Sequence, residues 1–171
     1  MNRNKVVLVD EKDNVLSEME KLEAHSKGML HRAFSVFIFN DKSEMLLQQR
    51  AKNKYHGAGL WTNACCSHPA LNEDVRESAS ERLEYEMGIK CDLQFLFSFI
   101  YHSPVENNLT EHEYDYVFVG KTNDLPKINL REVENYQWLS TEKIAADLAT
   151  NPENYTVWFR KIFSKVIEKT V

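Results

Sequence analysis

A thiol and an imidazole stand two residues apart in the stretch W-T-N-A-C-C-S-H-P at 61–69. Residues two apart in a strand point to the same side, so this pattern predicts Cys66 and His68 on one face and Cys65 on the other. Pro69 cannot donate a ladder hydrogen bond and is expected to end the strand. The arrangement places an acid or a nucleophile beside a metal ligand at a strand's exit, although an inert core cysteine would give the same pattern.

Five side chains of metal-ligating type lie at the ends of predicted elements: His25, His31, His68, Glu111 and Glu113. Nitrogen and oxygen ligands without a thiolate suit an octahedral Mg²⁺ or Mn²⁺ ion, and imidazole also suits Zn²⁺. The two glutamates fall on one face of a strictly alternating strand over 111–119, where a frayed and hydrated strand end is the alternative. No pair of histidines has a dedicated metal-binding spacing, so spacing alone supports the metal site only weakly.

Positive charge concentrates beside glycines after the strand predicted over 45–49. Arg50, Lys52 and Lys54 lead into Gly57 and Gly59, in a chain whose net charge is −5. Such a loop can bind an anion, but a solvated basic loop is the simpler interpretation in the absence of other evidence.

The composition indicates a globular chain. Its 171 residues are 43% hydrophobic and 27% charged, which fits one domain over 1–171 with a sizeable core. The net charge of −5 argues against a general nucleic-acid or membrane-surface binder. No apolar run approaches the roughly 20 residues that span a bilayer, and no signal peptide is recognisable. Three cysteines form neither a disulfide framework nor a zinc motif, so we expect a reducing, cytoplasmic location.

Hydrophobic periodicity predicts a mixture of strands and helices. Strands are predicted over 6–9, 31–39, 45–49, 93–101, 111–119 and 135–139, with a loop over 103–110. Helices are predicted over 17–25, from the N-cap Asn72 to Gly88, over 141–148, and as a C-terminal apolar stripe over 155–167. Trp158 lies beside that stripe, where a tryptophan is more often core than functional. Arg82 and Glu86, one turn apart, would form a surface ion pair.

The helix that ends at Gly88 resembles the Nudix box, G-x5-E-x7-R-E-U-x-E-E-x-G-U, when the box is laid on residues 67–89. The sequence matches at Glu73, Leu83, Glu86, Gly88 and Ile89. It departs at Ser67, Glu81, Arg82 and Tyr85. Hydrolytic members of that superfamily hold divalent ions through the glutamate that Tyr85 replaces. The resemblance therefore implies an α+β fold of the Nudix type, an α/β/α sandwich with a mixed central sheet flanked by helices, and argues against pyrophosphate hydrolysis.

These departures, the stretch 61–69 and the T-E-H-E at 110–113 together resemble type 1 isopentenyl-diphosphate delta-isomerases, a family with a degenerate Nudix fold. The resemblance runs from about residue 6 to residue 159. It implies interconversion of isopentenyl diphosphate and dimethylallyl diphosphate by 1,3-allylic proton transfer. Cys66 and Glu113 match the family's catalytic pair, Tyr101 the partner of the glutamate, and Trp158 the aromatic that faces the carbocation. This chemistry needs a cysteine thiolate, and nearby cations are expected to lower the pKa of Cys66.

The same resemblance implies the ligands. The metal ligands would be His25, His31, His68, Glu111 and Glu113, holding Mg²⁺, with Mn²⁺ or Zn²⁺ as alternatives. A second Mg²⁺, bridging to the substrate diphosphate, would be bound by Glu86. The basic residues that hold the diphosphate would be Lys21, Arg50, Lys54 and Arg82. No flavin is expected, because the sequence has no glycine-rich nucleotide motif.

Several alternatives remain open from the sequence. The chain could be a Nudix-type diphosphate hydrolase, or a non-catalytic metal- or nucleotide-binding module. Cys65 could exchange roles with Cys66 if the strand bulges. The expected partner is a small-molecule isoprenoid diphosphate, with no nucleic acid and no membrane, and the chain would be a monomer or a weak homodimer. Residues 1–30 form an N-terminal extension, and its closure as a lid is a hypothesis.

Overall fold

Strand β3 (His31–Phe39) is the centre of a mixed sheet in the computed structural model, which describes residues 3–170. Nearly all of β3 is buried, as expected for a strand that is apolar on both faces. It pairs in parallel with β8 (Leu109–Lys121), in a register that sets His31 opposite Glu113 and Phe39 opposite Lys121. This parallel pairing brings two of the predicted metal ligands side by side at one end of the sheet.

The other elements surround this pair. The remaining strands are β1 (Lys5–Val9), β2 (Val15–Glu20), β4 (Glu44–Arg50), β5 (Trp61–Thr62), β6 (Cys65–Ser67), β7 (Leu93–Val105) and β9 (Val133–Ser140). The helices are α1 (Lys21–Lys27), α2 (Val75–Met87), α3 (Thr141–Thr150), a 3-10 turn (Pro152–Asn154) and α4 (Val157–Thr170). None of these described helices has the length and apolar character needed to cross a membrane.

Helices cover both faces of the sheet, which confirms the predicted sandwich. On one face, Ala79, Leu83 and Met87 of α2 pack in a core cluster that includes Cys65. On the other face, α3 and α4 pack in a second cluster against which Cys66 lies. The buried positions of α2 recur every four residues, so this helix presents one apolar side to the sheet, as predicted.

Two predicted helix starts are wrong. Residues 17–20 belong to β2, because they pair with β1, and α1 begins only at Lys21. Helix α2 is capped by Asp74, whose side chain accepts a hydrogen bond from Glu77 N, whereas Asn72 has φ +66° in the preceding turn. Gly88 ends α2 in the left-handed region, as predicted.

The hairpin of β7 and β8 is longer than predicted. The two strands remain paired as far as Val105 and Leu109, so the loop predicted over 103–110 is a tight turn in which Asn107 and Asn108 have positive φ. A bulge between Phe95 and Phe97 interrupts the regular alternation of side chains along β7 and leaves Phe95 49% exposed. The extended pairing makes the start of β8 a buried, ordered strand and excludes a frayed end there.

Candidate active site

Glu113 lies at the meeting point of three elements. Its neighbour on β3 is His31, whose Nε2 is 3.3 Å from Glu113 Oε2, and His68 Nε2 is 2.8 Å from the same oxygen. Strand β7 pairs antiparallel with β8 and places Tyr101 opposite Glu113. The Tyr101 hydroxyl donates a hydrogen bond to Glu113 Oε1. Both oxygens of this buried carboxylate therefore have partners: Oε2 faces the two imidazoles, and Oε1 accepts from the tyrosine hydroxyl.

Glu111 has its own pair of histidines. His25 of α1 places Nε2 3.3 Å from Glu111 Oε1, and His56, in the loop after β4, places Nε2 2.6 Å from the same oxygen. All three side chains are buried. Two carboxylates and four imidazoles thus form one cluster beneath α1, and His56 is the member that the sequence analysis did not single out.

The cluster fits a divalent ion. The ligand atoms of His25, His31, His68 and Glu113 lie within 4.8 Å of one another, as do those of His25, His56 and Glu111. His25 Nδ1 contacts Lys21 O at 2.7 Å and His31 Nδ1 contacts Met29 O at 2.8 Å. Because a carbonyl oxygen can only accept, each Nδ1 carries the proton and each Nε2 presents a lone pair. Both Nε2 atoms are buried and have no hydrogen-bond partner among residues 3–170, which is the state of a nitrogen ready to bind a metal.

The imidazoles keep the two glutamates ionised. Burial by itself would raise the pKa of Glu113, but the neighbouring imidazoles of His31 and His68 hold that pKa well below its usual range. Burial and the Glu113 charge likewise oppose ionisation of Glu111, while His25 and His56 bring its pKa down to about 2. Burial lowers the pKa of His68 to about 4, so this histidine is neutral at physiological pH, as a metal ligand must be.

Cys66 lies on β6, opposite Ser35 of the central strand. Its Sγ is 3.1 Å from Asn63 Nδ2 and 3.5 Å from Ser35 Oγ, and Ser35 donates to Asp115 Oδ2 at 2.7 Å. Burial raises the pKa of the Cys66 thiol, and the neighbouring Asp115 raises it further. The expectation of a lowered pKa is therefore wrong for this thiol, because burial and the carboxylates of Asp115 and Glu113 outweigh the hydrogen bonds with Ser35 and Asn63.

Two short strands, β5 and β6, replace the single strand predicted over the stretch 61–68. The prediction about its faces is nevertheless confirmed at the cysteines. Cys66 and His68 line the same cavity, whereas Cys65 packs against α2 and places its Sγ 3.0 Å from Glu86 Oε2.

A small cavity of about 60 Å³ brings the remaining predicted residues together. Its lining includes Cys66, Glu113, Trp158 and all four predicted basic residues: Lys21, Arg50, Lys54 and Arg82. The basic loop after β4 is thus part of a concave site, and its interpretation as a solvated loop is wrong for Arg50 and Lys54. The Arg50 guanidinium lies over the Trp158 ring at 5.2 Å, so this buried indole already faces a cation.

Glu86 is set apart from the histidine cluster. Arg82 and Glu86 are only 8% and 4% exposed, so the surface ion pair expected for them is a buried pair, with Arg82 Nε 3.5 Å from Glu86 Oε2. Glu86 thus lies beside the basic end of the cavity, next to one of the cations predicted to hold the diphosphate.

Sequence reasoning missed several side chains of this site. His56 sits in the basic loop directly before Gly57, and an imidazole in a suspected anion-binding loop was a usable signal. Asp115 shares the odd face of β8 with Glu111 and Glu113, but nothing in the sequence linked it to Cys66. Glu132, in the turn before β9, contacts Lys54 and Arg82. Its contact with Lys54 spans 78 residues of sequence, so no local sequence pattern could predict it.

Comparison with known proteins identifies the family. The NUDIX domain family matches residues 29–159. "Isopentenyl-diphosphate Delta-isomerase 2" of Photorhabdus laumondii is 50% identical over 159 residues, covering 93% of this chain and 90% of that relative. The chain belongs to the isopentenyl-diphosphate delta-isomerase family. The isomerase of Pectobacterium atrosepticum is 46% identical over 166 residues, covering 97% of this chain and 93% of that relative.

Solved structures agree on the fold of this isomerase-family chain. A protein from Deinococcus radiodurans superposes with a TM-score of 0.77 at 17% identity, covering 94% of this chain and 98% of that one. A MutT protein from Methanosarcina mazei superposes with a TM-score of 0.67 at 22% identity, covering 81% of this chain and 94% of that one. At these identities the likeness extends to the Nudix fold alone.

Proposed function

We propose that this chain interconverts isopentenyl diphosphate and dimethylallyl diphosphate, with Cys66 and the Tyr101–Glu113 pair as its proton-transfer groups. One observation carries the proposal. A buried thiol and a tyrosine-bonded carboxylate share a cavity with an indole and four basic side chains, within a chain of this isomerase family. A hydrocarbon carrying a diphosphate needs both halves of this lining, one for the reacting carbons and one for the anion.

The chain's own residues perform two proton transfers. In the forward direction, the Tyr101–Glu113 pair gives a proton to the terminal methylene carbon, whose double-bond electrons form the new C–H bond and leave a tertiary cation. Cys66, as a thiolate on the opposite side of the substrate, removes a proton from the adjacent CH₂ group, and the electrons of that C–H bond form the new double bond. In the reverse direction the two groups exchange roles. Burial raises the pKa of the Cys66 thiol and so favours its protonated form, which is the form that gives the proton in the reverse direction.

The tertiary carbocation must be stabilised and protected from water during its lifetime. Trp158 is 5% exposed, and its π-face can stabilise a positive charge by up to about 2 kcal/mol in a desolvated site. Closure of the site around the substrate would also exclude water, which would otherwise capture the cation. We infer that Arg50 moves from the Trp158 ring to the diphosphate when the substrate binds.

His25, His31, His68, Glu111 and Glu113 are the residues that would hold the divalent ion, Mg²⁺ with Mn²⁺ or Zn²⁺ as alternatives. That ion would supply positive charge beside Glu113 and would fix the direction of its carboxylate. Glu86 would hold a second Mg²⁺ beside the diphosphate, which Lys21, Arg50, Lys54 and Arg82 would bind. We further propose that the chain forms a single domain over 1–171, is cytoplasmic, uses no flavin, and acts as a monomer or weak homodimer without nucleic acid or membrane.

The deciding experiment incubates the protein with isopentenyl diphosphate and Mg²⁺ in D₂O. Formation of the dimethylallyl isomer with deuterium incorporation is expected, with no release of phosphate. Phosphate release without isomerisation would instead indicate a Nudix-type hydrolase and would overturn the proposal. A protein that merely binds metal or nucleotide would give neither product.

A further inference from the structure

Glu132 is a carboxylate beside the basic end of the cavity, in contact with two of the basic residues that line it. It lies in the turn before β9, pairs with Lys54 Nζ, and places the same Oε2 3.2 Å from Arg82 Nη2. The side chains of the three residues are only 9% to 19% exposed. This is a partly buried three-membered ion cluster, so its charges interact more strongly than those of a fully exposed pair.

The backbone fixes Glu132 to the basic loop. Ala51 N donates to Glu132 O at 3.0 Å, and Glu132 N donates to Asn129 O at 2.9 Å. The hydrogen bond from Lys54 and the charge of Arg82 outweigh burial and hold the pKa of Glu132 below its usual range. The carboxylate is therefore a permanent, anchored negative charge at this position.

The four basic residues consequently divide into two pairs. Lys54 and Arg82 are already paired with Glu132, and Arg82 also faces Glu86. Among residues 3–170, neither Lys21 nor Arg50 has a carboxylate partner within 4 Å. A site made only to attract a bare polyanion would leave all four cations free, so the carboxylate requires an explanation.

We propose that Glu132 is a specificity-determining residue that makes the anion site prefer a diphosphate carrying a divalent cation to the bare diphosphate. This inference rests on the proposed function, since it concerns the same anion site. A bare diphosphate approaching Lys54 and Arg82 meets the negative charge of Glu132. A diphosphate that carries Mg²⁺ presents less negative charge, and its cation is attracted to the Glu132 oxygens, because Mg²⁺ favours carboxylate and phosphate ligands together.

Calorimetric titration with inorganic diphosphate tests the inference without relying on turnover. Binding is measured with EDTA and with Mg²⁺ for the unchanged protein, Glu132→Gln and Glu134→Gln. Glu134 is a matched control, because it lies two residues along the chain and pairs with Lys52, which is 81% exposed. Glu132→Gln should bind bare diphosphate at least about tenfold more tightly, the effect of removing one poorly screened like charge, and should gain less from Mg²⁺. Glu134→Gln should match the unchanged protein.

Equal or weaker binding of bare diphosphate by Glu132→Gln would overturn the inference and would mean that Glu132 only orders Lys54 and Arg82. Glu132→Ala also removes the charge, and whichever of the two variants keeps the thermal unfolding transition of the unchanged protein decides the result. The two proposals fail separately. If the unchanged protein isomerises its substrate while the Mg²⁺ preference is insensitive to Glu132, only the present inference falls, whereas absence of isomerisation overturns the proposed function.

Discussion

Cys65 and Cys66 are adjacent in the chain, yet they lie on opposite faces of the sheet. Cys65 is fully buried against α2 and contacts Glu86, whereas Cys66 contacts Asn63 and Ser35 and lines the cavity. The alternation of side chains along β6 explains the separation, since neighbouring residues of a strand point in opposite directions. No bulge is present between β6 and β3 at these positions, so the structure gives Cys65 no path into the cavity.

Replacing each cysteine by serine should therefore give opposite results. Cys66→Ser should lower the isomerisation rate by about 10²–10⁴-fold, the usual worth of a positioned acid or base, because a hydroxyl is a far weaker base than a thiolate. Cys65→Ser should retain activity within about tenfold, since its face is remote from the reacting carbons. The measurement is deuterium incorporation from D₂O. Activity that survives in Cys66→Ser and disappears in Cys65→Ser would reverse this assignment.

Removing the hydroxyl group of Tyr101 should impair proton donation by the Tyr101–Glu113 pair without disturbing the fold. Tyr101→Phe deletes the donor to Glu113 Oε1, while the ring remains stacked on Phe99 at a centroid distance of 5.4 Å. We expect kcat to fall by about 10²-fold or more with KM nearly unchanged, because the lost hydrogen bond serves the transition state rather than substrate binding. Tyr114→Phe, next to Glu113 on the other face of β8, is the control and should behave like the unchanged protein. Equal kcat values in both variants would exclude Tyr101 from the acid.

Much of the fold was predictable from the sequence because it depends on local patterns. The strict alternation after Thr110 predicted the buried face that carries Glu111 and Glu113, and Gly88 marked the end of α2. The start of α1 was not predictable in this way, because residues 17–20 are held by pairing with β1 rather than by their own helical propensity. Strand pairing of this kind overrides local preference.

The candidate site was predictable only in part, for a related reason. Residue types and the family resemblance placed the cluster of histidines, but not its electrostatics. The pKa of Cys66 depends on Asp115, which is 49 positions away and becomes its neighbour only through Ser35 on the central strand. Glu132 likewise reaches Lys54, 78 positions away in the sequence, through the pairing of β4 with β9. Contacts of this length leave no periodic signal in a single sequence.

Acid should destabilise the metal-free protein through His68. Burial lowers the pKa of His68 from its ordinary value near 6.5 to about 4. Between these two pH values, His68 is protonated in the unfolded chain but stays neutral in the folded chain. Stability is therefore lost as the pH falls through that window, and the lowered pKa of Glu111 adds a further loss towards pH 2. The raised pKa of His25 acts oppositely, and its contribution is lost as the pH rises through that raised value.

Urea unfolding in EDTA measures this dependence. Between pH 6.5 and pH 4, His68→Gln should lose less stability than the unchanged protein, because it lacks the histidine whose protonation favours the unfolded chain. His102→Gln, at an exposed position on β7, serves as the control and should keep the original slope. A parallel fall in all three proteins would show that other groups govern the acid sensitivity.

The cavity should open and close through α1. Its volume of about 60 Å³ is well below the roughly 300–1,000 Å³ of typical ligand sites, so a five-carbon diphosphate requires outward movement of its walls. Helix α1 is the wall best suited to move, because it has only seven residues, ends at Gly28, and contributes both Lys21 and His25 to the site. Contacts to Mg²⁺ and diphosphate would then hold this helix in place over the enlarged site. Hydrogen exchange should show at least about tenfold slower exchange of the α1 amides with Mg²⁺ and inorganic diphosphate than with EDTA, while α3, remote from the cavity, stays unchanged. Identical exchange of α1 in both conditions would exclude it as the closing element and shift attention to the loop carrying Tyr55 and His56.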